Sequence, residues 1–248
     1  MIKKLLILFL LLFLLSSVGF SQDVYFYVAS SMSKPANEIV NNFNKVSKNF
    51  KVVLLTGGSG QLLNKIVFSK KGDLYLPASK TFKDKAVKLG LVLVSIDLLY
   101  QTPVFGLSEN GKKKINSFDD IVKKDVKIAL GNPNTMALGK IFENIKLKLP
   151  KDIVLGIEKN CVVKAVNVAQ IVNYLKTNTV DVGIVFDSVA KVNGFKYVSF
   201  PERATVKDVA SINLLKTNSN IENAKIFLKY LLENKGIFKK YGFDVIKQ

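Results

Sequence analysis

The sequence predicts an α/β fold in two lobes, and three observations carry that prediction. Strand-like and helix-like patterns alternate from residue 24 to residue 89, an order that implies parallel strands covered by helices. The same strand–turn–helix unit returns after residue 125, as if a second lobe repeated the plan. Two extended stretches, 91–107 broken at Thr102-Pro103 and 197–201, read as crossings between the halves. Two lobes joined by two crossings leave a cleft that can close on a ligand. The expected limits are 22–103 with 202–248 for the first lobe and 104–201 for the second, after a leader at 1–21.

Taken in order, residues 24–28 read as a strand, Ala29-Ser30-Ser31-Met32-Ser33 as a turn of small residues, and Pro35 as the start of a helix running to 46. Proline is favoured in a first helical turn because its missing N–H costs nothing there. Residues 52–55 form the next strand, ahead of Thr56-Gly57-Gly58-Ser59-Gly60-Gln61 and an amphipathic run over 62–68. Glycines permit positive φ and a close approach of ligand to main chain. A helix start offers unpaired N–H groups and partial positive charge, and Ser59 adds a hydroxyl. Such a turn is an anion seat. Each turn read singly is equally an ordinary strand–helix connection with a serine cap; two in succession point to helix N-termini converging on one small anion. Asp73-Leu74-Tyr75-Leu76-Pro77-Ala78-Ser79 is a further strand ending in small residues, and open α/β sheets bind ligands outside those ends.

In the second half, Ser117-Phe118-Asp119-Asp120 carries a helix-capping pattern. Residues 126–130 read as a strand, Gly131-Asn132-Pro133-Asn134-Thr135 as a turn and 136–145 as a helix. Ala169, Val172 and Leu175 follow helical spacing over 169–176. Residues 182–186 form a short buried strand, 209–215 a strand and 221–232 an amphipathic helix, with 238–243 closing the fold.

The chain has 248 residues, enough to bury a sizeable core. Lys3 and Lys4, an apolar run over 5–15 and Gly19-Phe20-Ser21 make a secretory leader, with cleavage expected before Gln22. The apolar run is short for a membrane span. No cysteine adjoins the cleavage point, so an exported, periplasmic protein without a lipid anchor is expected. Cys161 is the sole cysteine, which excludes an intrachain disulfide, and there is no histidine, which removes most catalytic triads and most zinc sites. Lysine and arginine number 37 against 19 acids, but they are dispersed. They form a solvated surface that raises local anion concentration, and no nucleic-acid motif accompanies them. Gly57-Gly58-Ser59-Gly60-Gln61 lacks the closing glycine of a hydrolase nucleophile turn and has no histidine as base. A secreted hydrolase is therefore the lesser alternative to binding without catalysis.

Several pieces, met in order, carry a resemblance: Val28-Ala29-Ser30-Ser31-Met32-Ser33, Gly57-Gly58-Ser59-Gly60, Gly72-Asp73-Leu74-Tyr75-Leu76-Pro77-Ala78-Ser79, Gly131-Asn132-Pro133 with Gly139, Val166-Asn167-Val168, Val182-Gly183-Ile184-Val185-Phe186 and Tyr241-Gly242-Phe243. The chain resembles the periplasmic molybdate/tungstate-binding proteins of ABC importers. That resemblance implies a bilobed type II periplasmic-binding fold, with two parallel-rich sheets, flanking helices and an oxyanion held between the lobes. It also implies a monomer that delivers molybdate or tungstate to a membrane permease subunit, with no cofactor and no bare metal cation. By position, Ser31 and Ser59 would each supply a hydroxyl and a backbone N–H, and Leu138 and Val168 backbone N–H groups. Phe186 stands where the family commonly has a tyrosine whose hydroxyl donates to the anion. A hydrogen bond to a charged group is worth about 1.5–3 kcal/mol, so its loss weakens binding roughly tenfold to a hundredfold unless Ser188, Thr135 or water takes its place. The branch of the family that adds protein carboxylates would want an acid near Met136, and none is there.

A site of donors alone selects fully ionised tetrahedra, because the proton that phosphate keeps near neutral pH would be left unpaired. Asp187 is the residue that would change this. Facing the cleft, it would accept that proton and favour phosphate or arsenate. Strand alternation places it opposite Phe186, pointing away. Sulfate differs from molybdate in size only, and sequence does not separate them.

Overall fold

The computed structural model describes residues 23–216 and 221–247; the expected leader and its cleavage point lie outside the described residues. Val24–Ala29 (β1), Val52–Gly57 (β2) and Leu74–Leu76 (β3) are rich in the β-branched and aromatic residues that suit a pleated, buried surface. β1 lies between β2 and β3 and runs parallel to both. A helix follows each strand: Ser33–Val46 (α1), entered through a 3-10 turn at Ser30–Met32, then Ser59–Ser69 (α2) and Lys80–Lys88 (α3). Each of these helices therefore starts at the carboxyl end of the strand before it.

The chain continues as Val92–Gln101 (β4), passes Thr102, and enters the second sheet as Pro103–Leu107 (β5). There follow Gly111–Lys114 (α4), Ile128–Gly131 (β6), Ala137–Lys146 (α5), Lys151–Lys159 (α6), Cys161–Ala165 (β7), Val168–Lys176 (α7), Val182–Phe186 (β8), Asp187–Val192 (α8) and Tyr197–Ser199 (β9). A 3-10 turn at Glu202–Ala204 leads back to Asp208–Leu215 (β10), and Ile221–Glu233 (α9), Gly236–Lys240 (α10) and Asp244–Val245 (β11) complete the first sheet's lobe. The sheet orders are β11-β4-β10-β3-β1-β2 and β7-β6-β8-β5-β9.

The expected parallel strands are present in both sheets. Antiparallel strands extend each of them: β10, expected as a strand, with β4 and β11 in the first, and β5 and β9 in the second; their antiparallel direction is not among the expectations. The stretch 197–199, expected as a crossing, is an edge strand against β5. The return between sheets falls just after it, around Glu202–Ala204. Several elements, α6 and β7 among them, have no counterpart among the sequence expectations. In α6 only Ile157 is fully buried while Leu155 is exposed, so its apolar stripe is narrow.

Each lobe has its own aromatic centre. Phe227 of α9 packs edge-on against Phe26 of β1 and Phe43 of α1, at 5.5 and 5.1 Å between ring centroids. In the second lobe Phe105 of β5 lies 4.4 Å from Phe200. Each fully buried ring of this kind contributes about 1.5–3 kcal/mol. The crossing is tied to both sides. Gln101 Nε2 donates to Ala78 O at 3.1 Å in the first lobe. Thr102 exchanges two bonds with Asp187 in the second, its N–H donating to Asp187 Oδ1 at 3.2 Å and its carbonyl accepting from Asp187 N at 2.9 Å.

Candidate functional site

The carboxyl ends of the parallel strands from both sheets meet at one small cavity. It is lined by Ala29, Ser30 and Ser31 after β1, Gly57, Gly58 and Ser59 between β2 and α2, and Ala78 after β3. From the second lobe come Met136, Ala137 and Leu138 at the start of α5, Val168 at the start of α7 and Phe186 at the end of β8. All are buried except Ser30 and Gly57, which are half-buried. The volume open to the centre of a water-sized sphere is about 10 Å3, the room one water or one small ion takes. Ser31, Ser59, Leu138, Val168 and Phe186, named from the sequence, all border this space.

No charged side chain lines the cavity. Its polarity comes from three hydroxyls and from helix starts, whose first N–H groups have no intrahelical acceptor. Four chain segments begin helical turns there, and their aligned peptide dipoles favour negative charge. Ser31 Oγ is buried with no hydrogen-bond partner, a costly state for a hydroxyl that nothing inside the protein satisfies. Ser59 is held more firmly. Its Oγ accepts from Ala78 N at 3.1 Å, which leaves its own proton to donate. Its carbonyl accepts from the Tyr75 hydroxyl at 2.7 Å. Tyr75 is fully buried, and burial raises that hydroxyl well above the usual tyrosine range, so it stays a donor.

The two lobes touch directly around the cavity. Gly60 N donates to Thr135 O at 2.9 Å, and Val168 N donates to Ser30 Oγ at 3.1 Å. The glycines of the first-lobe turn serve this closeness. A Cβ on Gly58 would sit 2.3 Å from Val166 O and 2.4 Å from Thr135 O, and one on Gly60 would sit 2.3 Å from Asn134 O. Neither has positive φ, so the conformational freedom expected of them goes unused and their small size is what counts.

Two expectations change at this level of detail. Val168, expected to offer its N–H to an anion, gives that N–H to Ser30 in this structure. Ser188 and Thr135, the candidate stand-ins for the hydroxyl that Phe186 lacks, have buried oxygens without partners, but neither residue lines the cavity. Asp187 points away from it. Its carboxylate accepts from Thr102 N and from Lys191 Nζ at 2.8 Å. Ala29, Ser30, Gly57, Gly58, Ala78, Met136 and Ala137 also line the cavity, beyond the five residues that the sequence names. Ser30 carries the same signal as Ser31, a small hydroxyl residue in the turn after β1. Among the described residues no group of three or more His, Cys, Asp or Glu side chains is placed to hold a metal ion, and no helix is long and apolar enough to cross a membrane.

The family described as bacterial extracellular solute-binding protein matches residues 24–244 of the chain. A Bacillus subtilis relative, named as a putative ABC transporter substrate-binding lipoprotein, is 27% identical over 223 residues, covering 87% of this chain and 84% of its own. The molybdate-binding protein ModA of Mycobacterium bovis is 23% identical, covering 90% of this chain and 85% of its own. Among solved structures, the periplasmic molybdate-binding protein of Azotobacter vinelandii superposes with a TM-score of 0.75 at 16% identity, covering 91% of this chain and 100% of that one. The sulfate-binding protein SubI of Mycobacterium tuberculosis superposes at 0.72 with 14% identity, covering 91% and 88%. These likenesses establish the bilobed type II periplasmic-binding fold.

Proposed function

On the premise that the chain belongs to the bacterial extracellular solute-binding proteins, we propose that its interlobe cavity captures a small, doubly charged tetrahedral oxyanion, molybdate or tungstate, for delivery to an ABC permease. It is a binding protein and not an enzyme: the family and the structures it resembles are those of transport binding proteins. The observation that carries the ligand class is the lining itself, buried hydroxyls and helix starts from two lobes with no charged group among them. Burying a bare dianion is expensive and becomes tolerable where each oxygen meets fixed donors. With the Asp187 carboxylate spent on Thr102 and Lys191, the cavity offers no carboxylate for a protonated anion, which supports molybdate or tungstate over phosphate or arsenate. In this reading Ser31 and Ser59 donate through side chain and main chain, Leu138 through its main chain, and Phe186 bounds the space without donating.

The same reading has a leader at 1–21 removed on export and a periplasmic monomer. Sulfate is the second reading, favoured by the likeness to the sulfate-binding fold and by the small volume of the cavity.

Isothermal calorimetry with molybdate, tungstate, sulfate and phosphate tests the assignment. The first two are expected to bind at least about tenfold tighter than sulfate, a difference near 1.4 kcal/mol. Equal affinity for all four would sink it, and a preference for sulfate would select the second reading.

A further inference from the structure

Ser30 borders two spaces at once. With Ser31 and Val168 it lines the small cavity, and with the same two residues it lines a groove of about 160 Å3 on the other side. Lys34, Asn173 and Lys176 of that groove are exposed, so it opens to solvent. Two of the three residues that cavity and groove share are joined by the hydrogen bond from Val168 N to Ser30 Oγ, 3.1 Å long and linking one lobe to the other. A hydroxyl that accepts one bond still has its proton to give. Among the described residues no bond is formed in which Ser30 Oγ donates to the protein; its neighbour Ser33 instead donates to the Ser30 carbonyl at 3.0 Å. That proton is left for the two spaces Ser30 borders, water in the groove or an anion in the cavity, where Phe186 contributes no polar side-chain atom.

We infer that Ser30 is a ligand-binding residue that also latches the lobes: its hydroxyl donates to the bound anion while the same oxygen accepts the Val168 N–H. The inference rests on the oxyanion reading above. The two bonds reinforce each other, because a hydroxyl that donates to an anion becomes a better acceptor. Occupancy of the cavity therefore tightens a contact between the lobes at the residues it shares with the solvent-open groove. An anion that leaves must break both bonds, so Ser30 governs release more than capture.

The test is stopped-flow and calorimetric measurement of molybdate binding by wild-type, Ser30→Ala and Ser30→Thr proteins, with melting of each apo form. Ser30→Ala is expected to raise koff about tenfold or more, to leave kon within about twofold and, because it strands the Val168 N–H, to lower the apo melting temperature by less than the binding it loses. Ser30→Thr, which keeps the hydroxyl, is expected to restore slow release. Ser30→Ala that releases molybdate no faster than wild type overturns the inference while leaving the oxyanion reading intact. A fall in apo stability as large as the loss of binding overturns it in favour of a helix cap alone. Wild-type protein that binds none of molybdate, tungstate, sulfate or phosphate overturns the oxyanion reading itself.

Discussion

The first lobe brings Ser30, Ser31 and Ser59 to the cavity, while the second brings Met136, Ala137, Leu138, Val168 and Phe186. One side is hydroxyls, and the other has no side chain that can donate a hydrogen bond. Both sides place helix starts at the same space, so the main-chain contribution is shared and the side-chain contribution is not. The difference teaches where ligand recognition is exposed to mutation. In the first lobe a change of residue removes a donor. In the second it alters shape and leaves the donating N–H groups where the backbone holds them.

The largest effect should come from stripping the hydroxyls on the first side. Ser31→Ala with Ser59→Ala removes two bonds to a charged ligand, at about 1.5–3 kcal/mol each, so molybdate Kd is expected to rise at least about a hundredfold. The two positions separate in thermal melting of the apo protein. Ser31 Oγ has no partner, so Ser31→Ala costs nothing there. Ser59→Ala strands the buried Ala78 N–H and is expected to cost about 1–3 kcal/mol. Calorimetry that finds the double variant binding as wild type would place the ligand elsewhere.

A smaller effect should follow from giving the second lobe a hydroxyl. Phe186 is fully buried and borders the cavity, so Phe186→Tyr adds a donor beside the anion and erases part of the contrast between lobes. Binding of molybdate is expected to tighten roughly tenfold, the lower end of what a bond to a charged group supplies. Unchanged or weaker binding would mean that the ring is oriented away from the ligand, or that the added oxygen takes space the anion needs.

The same contrast explains how much of the molecule is legible in its amino-acid sequence. The strand–turn–helix units are legible because apolar periodicity and serine- or glycine-containing turns recur together, and they locate Ser31 and Ser59 directly. Leu138 and Val168 have no chemical signature of their own, since the main-chain role proposed for such positions leaves the residue type free. Family resemblance reaches them and residue type does not. The Ser30–Val168 bond is invisible in sequence because it joins residues 138 positions apart, and pairing across a cleft leaves no periodic trace. The antiparallel strands β4 and β10 are partly legible as apolar stretches. Their direction depends on which strand they pair with, which local pattern does not encode.

The smallest effect on binding should come from the second lobe's side chains, and Leu138 is the sharpest case. It is about 1% exposed and sits in the first turn of α5, so Leu138→Ala removes a core side chain while keeping the N–H at the helix start. A Leu-to-Ala change in a packed core costs about 2–5 kcal/mol of stability, which should lower the melting temperature clearly. Molybdate Kd, measured well below that temperature, is expected to change by no more than about threefold, under 1 kcal/mol. Stability and affinity would then part company at this position, whereas at Ser31 affinity falls and stability does not. If Leu138→Ala instead weakened binding as much as Ser31→Ala, the second lobe would be reading its ligand through side-chain shape, and the division of labour between hydroxyl side and backbone side would not hold.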